Sequence, residues 1–94
     1  MTTKRELEAV VERLNRITNS PFATYTKRDD GTFKANIGNY HLSGAYGGYA
    51  LHRLVNEAGG VQDVLRSGHI PKAELCRLIH AFISGIGNQQ TQNV

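Results

Sequence analysis

Residues 39–51, Asn-Tyr-His-Leu-Ser-Gly-Ala-Tyr-Gly-Gly-Tyr-Ala-Leu, constrain this chain more than any other stretch. Three of the ten glycines and three of the four tyrosines fall inside it. Its first residues favour an extended strand, and Gly44-Ala45-Tyr46-Gly47-Gly48 then forces a sharp change of direction. Beyond the corner, Leu51, Leu54, Val55 and Ala58 recur at helical spacing, which predicts a helix opening at Gly47 or Gly48 and running to about Ala58. Gly59-Gly60 reads as its C-terminal stop.

On the N-terminal side, Leu7, Val10, Val11, Leu14 and Ile17 form one apolar stripe, so residues 3–17 read as an amphipathic helix. Thr3-Lys4-Arg5-Glu6 fits a capping box, and Asn19-Ser20-Pro21 closes the helix, because proline disfavours helical backbone in the residue before it. Residues 23–43 read as three short strands. Asp29-Asp30-Gly31 is expected to be a three-residue hairpin loop with Gly31 left-handed, which sets Tyr25 opposite Ala35 on the core face. Gly38-Asn39 reads as a two-residue turn pairing Ile37 with Tyr40, Asn36 with His41 and Ala35 with Leu42. That register puts Phe33, Ala35, Ile37, Tyr40 and Leu42 on one face and Lys34, Asn36, His41 and Ser43 on the other.

After Gly60, Val61, Val64 and Leu65 predict a short helix or a turn over 61–66. Pro71 suits the first position of a last helix, whose stripe is Leu75, Leu78, Ile79, Phe82, Ile83 and Ile86 and whose end is set by Gly85 and Gly87. The expected fold class is therefore α+β, in the order α-β-β-β-α-(short α)-α. A three-stranded antiparallel meander should have one face covered by helices. Residues 1–87 read as a single domain, and the polar residues 88–94 as a disordered C-terminal tail.

Eleven basic against eight acidic residues leave a net charge of +3, which permits an anionic partner without requiring one. Cys76 is the only cysteine, so neither a disulfide framework nor a cysteine-based zinc site is expected, and a reducing cytoplasm is the simple setting. No apolar run approaches the roughly 18 residues a membrane span needs.

The glycine corner is the foremost candidate site. A strand leading through glycines into a helix aims free backbone N–H groups at an anion. Gly44, Ala45, Tyr46, Gly47, Gly48, Tyr49 and Arg53 would then contact an anion or a partner; alternatively the glycines only let a helix pack close to a strand. No Lys-Ser or Lys-Thr follows, so this is not a P-loop. Tyr46 and Tyr49 suit base stacking or packing. Lys34, Asn36, His41 and Ser43 form a second candidate surface on the open sheet face. The four histidines, His41, His52, His69 and His80, fall on separate elements without metal-ligand spacing, and Cys76 and His80 lie one helical turn apart. No catalytic, metal or cofactor motif emerges, and the expectation is a protein that is not an enzyme.

The order α-β-β-β-α over residues 3–58 resembles that of double-stranded-RNA-binding domains. That family opens its last helix with a lysine cluster, whereas Gly47-Gly48-Tyr49-Ala50-Leu51-His52-Arg53 carries one arginine and no lysine. A second resemblance is carried by sequence, over about residues 33–86. Asn39–Tyr49, Val55-Asn56-Glu57, Gly59-Gly60-Val61, Gly68–Lys72 and Ala81–Gly85 are similar to small proteins of tailed bacteriophages and prophages. This resemblance implies a setting in the bacterial host cytoplasm and assigns no catalytic residue. The expected function is a small accessory protein that binds a host or phage protein. The alternatives are a nucleic-acid-binding module using Lys27, Arg28, Lys34 and Arg53 around the glycine-rich corner and His41 on the open face, or a small-nucleotide-binding protein. A homodimer is compatible with each, and no membrane partner is expected.

Overall fold

The computed structural model describes residues 1–92, with side chains to Ile86. Its order is α1 (Lys4–Ile17), β1 (Tyr25–Lys27), β2 (Phe33–Ala35), β3 (Tyr40–Ala45), β4 (Gly48–Leu54), β5 (Val61–Asp63) and α2 (Lys72–Gln92). The fold is α+β with a three-stranded antiparallel sheet, and its strands are β3-β4-β5. β1 and β2 form a separate two-stranded hairpin.

α1 forms where its stripe predicts. Thr3 Oγ1 accepts from Glu6 N at 3.1 Å, and Leu7, Val10, Val11 and Leu14 are buried. Full burial of each such aliphatic side chain is worth about 1.5–3 kcal/mol. Asn19 takes a positive φ of 55°, which turns the chain out of the helix. α2 follows Pro71 as expected, with Leu75, Ile79 and Ile83 buried and Phe82 and Ile86 packed at the rim. It runs on through Gly85 and Gly87, past the stop expected there, so the polar segment from residue 88 begins inside a helix. Residues 93 and 94 of the expected tail lie outside the described residues. Both helices pack against one face of the sheet, where Tyr40 and Leu51 join their buried side chains.

The β1–β2 hairpin has the expected register, Tyr25 opposite Ala35, and the expected loop, with Gly31 at φ 89°. Asp30 Oδ1 accepts from Thr32 N and Thr32 Oγ1, and these bonds hold its carboxyl below the usual range. Tyr25 does not reach the core: it and Phe33 stay largely exposed, and only Ala35 is buried. The hairpin instead docks on the β4–β5 loop. Ala35 N donates to Glu57 O, while Arg28 and Lys34 both pair with the Glu57 carboxylate.

Three expectations are overturned. Gly38-Asn39 does not make a hairpin of β2 and β3, which lie in different sheets. Asn39 is fully buried, and its amide donates to Pro21 O and Phe22 O, tying the strand entrance to the segment after α1. The proposed pairs Ile37–Tyr40, Asn36–His41 and Ala35–Leu42 are therefore absent, and Ile37 is exposed. Second, no helix begins at Gly47 or Gly48. That stretch is β4, paired with β3 as Ala45↔Gly48, Ser43↔Ala50 and His41↔His52. The corner is a two-residue hairpin loop with positive φ at both Tyr46 and Gly47, the requirement of a type I′ turn. Third, Val61–Asp63 is strand β5, so the turn expected over 61–66 is confined to its second half, where Arg66 N donates to Asp63 O; Gly59-Gly60 closes the β4–β5 hairpin, with Val55 N donating to Gly60 O and Gly60 N to Asn56 Oδ1. The α-β-β-β-α order behind the likeness to double-stranded-RNA-binding domains is replaced by two helices flanking five strands.

Candidate functional site

Antiparallel pairing sorts the β3 and β4 side chains onto two faces. Tyr40, Leu42, Gly44, Tyr49, Leu51 and Arg53 share the helix-covered face; His41, Ser43, Ala50, His52 and Leu54 share the other. On the helix side, the Arg53 guanidinium stands 5.0 Å from the centre of the Tyr40 ring, a cation–π contact, and its Nε donates to Gly38 O.

The geometry beside β3 is set by α1. Asn15, almost wholly buried, donates from Nδ2 to Tyr40 O and accepts from Tyr40 N, both at 2.9 Å. Its side-chain amide thus acts as one peptide unit of a neighbouring strand. Further along β3 the wall of α1 stands off, leaving a groove of about 630 Å³. Val11, Phe22, Tyr40, Leu42 and Tyr49 supply apolar lining, Lys4, Glu8 and Glu12 charge its helical wall, and Gly44 lies at its strand side. A Cβ on Gly44 would stand 3.3 Å from Tyr49 Cε1, so the missing side chain is what lets the Tyr49 ring lie there.

The other face gathers three of the four histidines. His41 and His52 are cross-strand neighbours with ring centres 5.9 Å apart, and His52 lies 6.1 Å from His69 on the segment before α2. His69 Nε2 is 3.1 Å from Ser43 Oγ, and the His69 ring meets Tyr46 edge-on at 5.9 Å. Burial holds His41 below the ordinary imidazole value, and the neighbouring His52 adds repulsion against the charged form. Asp63 is the cross-strand partner of His52, but its Oδ2 accepts from Gly68 N. The Ser43–His69 contact joins the 63–70 segment to β3. Among the described residues, no group of three or more His, Cys, Asp or Glu side chains is placed to hold a metal ion.

The sequence-predicted surfaces are thus redistributed. Gly44 and Tyr49 lie in the α1–β3 groove, whereas Ala45, Tyr46, Gly47 and Gly48 form the hairpin tip, with Tyr46 98% exposed. Arg53 is at the opposite end of β4, roughly 16 Å from the tip at about 3.3 Å per residue. His41 and Ser43 share a face as expected, but Lys34 and Asn36 are on the separate hairpin, where Asn36 bonds Thr26 and Ala23 O and Lys34 pairs with Glu57. Asn15, Glu8, Glu12, His52 and His69 were missed. Asn15 was legible as a polar residue next to the apolar stripe of α1, but its strand partner was not.

Comparison with protein-family models, curated proteins and solved structures finds no match to this chain. Among the described residues no helix is long and apolar enough to cross a membrane.

Proposed function

We propose that this is a small, non-enzymatic phage accessory protein that acts in the host cytoplasm by binding a host or phage protein in the groove between α1 and β3. The observation that carries the binding reading is the groove itself: an apolar lining, a charged wall and an exposed aromatic lip at Phe22, beside a sheet edge. The phage setting rests on the sequence resemblance over residues 33–86. The nucleic-acid alternative draws less support, because its basic residues are already engaged: Arg28 and Lys34 meet at the Glu57 carboxylate, and Arg53 lies over Tyr40. The nucleotide alternative relied on a helix N-terminus at Gly47–Gly48, where a strand begins.

The test is photo-crosslinking from Phe22. With benzoylphenylalanine at Phe22, lysate of an infected host should yield one stoichiometric protein adduct, lost when Glu12 and Glu8 are both replaced by lysine. Placing the same group at Phe33, exposed but on the β1–β2 hairpin, should yield none. Absence of any protein adduct from Phe22, or equal labelling from both positions, sinks the reading.

A further inference from the structure

We propose that the groove takes its partner by strand addition: an extended segment lies along β3, hydrogen-bonded to Leu42 and Gly44, and turns basic side chains toward Glu8 and Glu12. This rests on the groove being the binding site and adds how it binds and what chemistry it selects.

The backbone parity of β3 supplies the first argument. Leu54 N donates to Asn39 O, so residue 39 faces β4. Tyr40 faces the other way, because both its backbone groups bond the Asn15 side chain. Alternation then turns the N–H and C=O of Leu42 and Gly44 away from β4 as well, and both residues line the groove. Neither has a partner on that side among the described residues. The far edge of β4 is used: Val64 N donates to Leu51 O, and Tyr49 and Ile70 exchange both bonds. β1 also has an outer edge, but it is three residues long and carries Lys27, a charge of the kind that discourages pairing. β3 is the longer edge, six residues, and its remaining half runs beside a concave wall.

The side chains supply the second argument. An incoming residue opposite Gly44 would turn its side chain to the helix face, where Gly44 presents no Cβ and the Tyr49 ring forms the floor. That position suits an apolar or aromatic residue. The helix-face residues flanking it approach the wall of α1. Glu12 has no ion pair there among the described residues, and Glu8 meets only Lys4 at 3.9 Å on an exposed surface. Lys4 lines the same wall and is paired with Glu8, so Glu12 is the charge there that a basic side chain of the incoming segment answers. A second copy of the chain is a poorer occupant. Two-fold antiparallel pairing about Ser43 would bring both α1 helices to the same face, with Glu8 and Glu12 of each turned toward the other.

The probes are three blocked peptides: Lys-Thr-Phe-Thr-Lys-Thr, its acidic counterpart Glu-Thr-Phe-Thr-Glu-Thr, and the basic peptide N-methylated at the residues flanking and including Phe. Titration is followed by amide NMR, together with Gly44→Pro and Gly44→Ala. Both variants add a Cβ beside Tyr49, but only proline removes the outward N–H. The expected result is protection of the Leu42 and Gly44 amides from exchange by the basic peptide. The acidic and N-methylated peptides should bind at least about tenfold more weakly. Gly44→Pro should bind at least about tenfold more weakly than Gly44→Ala, which shares the added Cβ beside Tyr49 and so isolates the lost N–H. Binding that shifts Phe22 without protecting Leu42 and Gly44, or that Gly44→Pro leaves intact, overturns strand addition while the groove reading stands. Absence of binding by all three peptides also overturns it, and the Phe22 crosslink then judges the groove separately. A dimer in sedimentation that Gly44→Pro abolishes and Gly44→Ala keeps would make the occupant a second copy and overturn the basic-segment proposal. Where Gly44→Pro does not fold, the matched pair of basic and N-methylated peptides decides.

Discussion

Replacing Asn15 by alanine isolates the contact that closes the first part of the β3 edge. The side chain is 3% exposed and makes two hydrogen bonds of 2.9 Å to the backbone of Tyr40, itself buried. Truncation leaves a peptide N–H and a peptide C=O without partners, and an unsatisfied buried polar group costs about 1–3 kcal/mol. Two such groups would cost up to roughly 6 kcal/mol, but the adjoining groove lets water approach, which favours the lower half of that range. Alanine also forms helix better than asparagine by about 0.5 kcal/mol, a small offset. The net expectation is a loss of about 2–3 kcal/mol, a large share of the roughly 5–14 kcal/mol usual for a chain of this size. Urea titration of Asn15→Ala beside Arg13→Ala, an exposed position on the same helix, measures it. Asn15→Asp should fall at least as far at neutral pH, because it keeps the acceptor for Tyr40 N but sets a carboxylate oxygen against Tyr40 O. An Asn15→Ala loss within about 0.5 kcal/mol of the Arg13→Ala value would refute the claim that this amide stands in for a strand.

Three further outcomes follow from named contacts. Gly48→Ala would place a Cβ 2.9 Å from Ile70 N and Ile70 O, so it should cost about 1–3 kcal/mol in chemical denaturation, with loss of the Tyr49–Ile70 amide protection as the local sign. Tyr46→Asn should raise the melting temperature, because Tyr46 is held at φ 54° while 98% exposed, and the left-handed region costs an ordinary residue about 1–2 kcal/mol; a lower melting temperature would mean that the Tyr46–His69 contact outweighs the strain. Because His41 is held below its ordinary value of 6.5, the unfolded chain binds its proton first on acidification. That contribution is therefore fully present above the ordinary value and is lost as pH falls below it, and His41→Gln should flatten the decline of the urea midpoint between neutral and mildly acidic pH.

Where local chemistry decides conformation, the sequence was readable. The Thr3 cap, the stripes of α1 and α2, and the β1–β2 loop with its left-handed Gly31 all lie within a few residues of the groups that stabilise them. Failure began where two periods fitted one segment. Leu51, Leu54, Val55 and Ala58 look helical, yet β4 is buried on both faces, with Leu51 toward the helices and Ala50 and Leu54 on the opposite side. A strand covered on both sides loses its alternation, which removes the signal that separates it from a short helix. Turn chemistry misled in the same region. Gly38-Asn39 has the composition of a two-residue hairpin loop but serves as a buried tie to Pro21 and Phe22, whereas Tyr46-Gly47, a poor composition for type I′, makes the hairpin.

The candidate site divides in the same way. That His41 and Ser43 share a face follows from alternation within one strand and needs no partner to be known. That His52 and His69 join them, and that Asn15 fills one stretch of the β3 edge while Leu42 and Gly44 are left open, depends on which strand lies beside which. By itself the sequence determined the two amphipathic helices, the first hairpin and the α+β class, because each is written in contacts between near neighbours. Only the tertiary structure decided that the glycine corner is a hairpin tip and that the groove lies beside α1. Strand pairing is settled by burial summed over distant segments, which no local stretch of chain records.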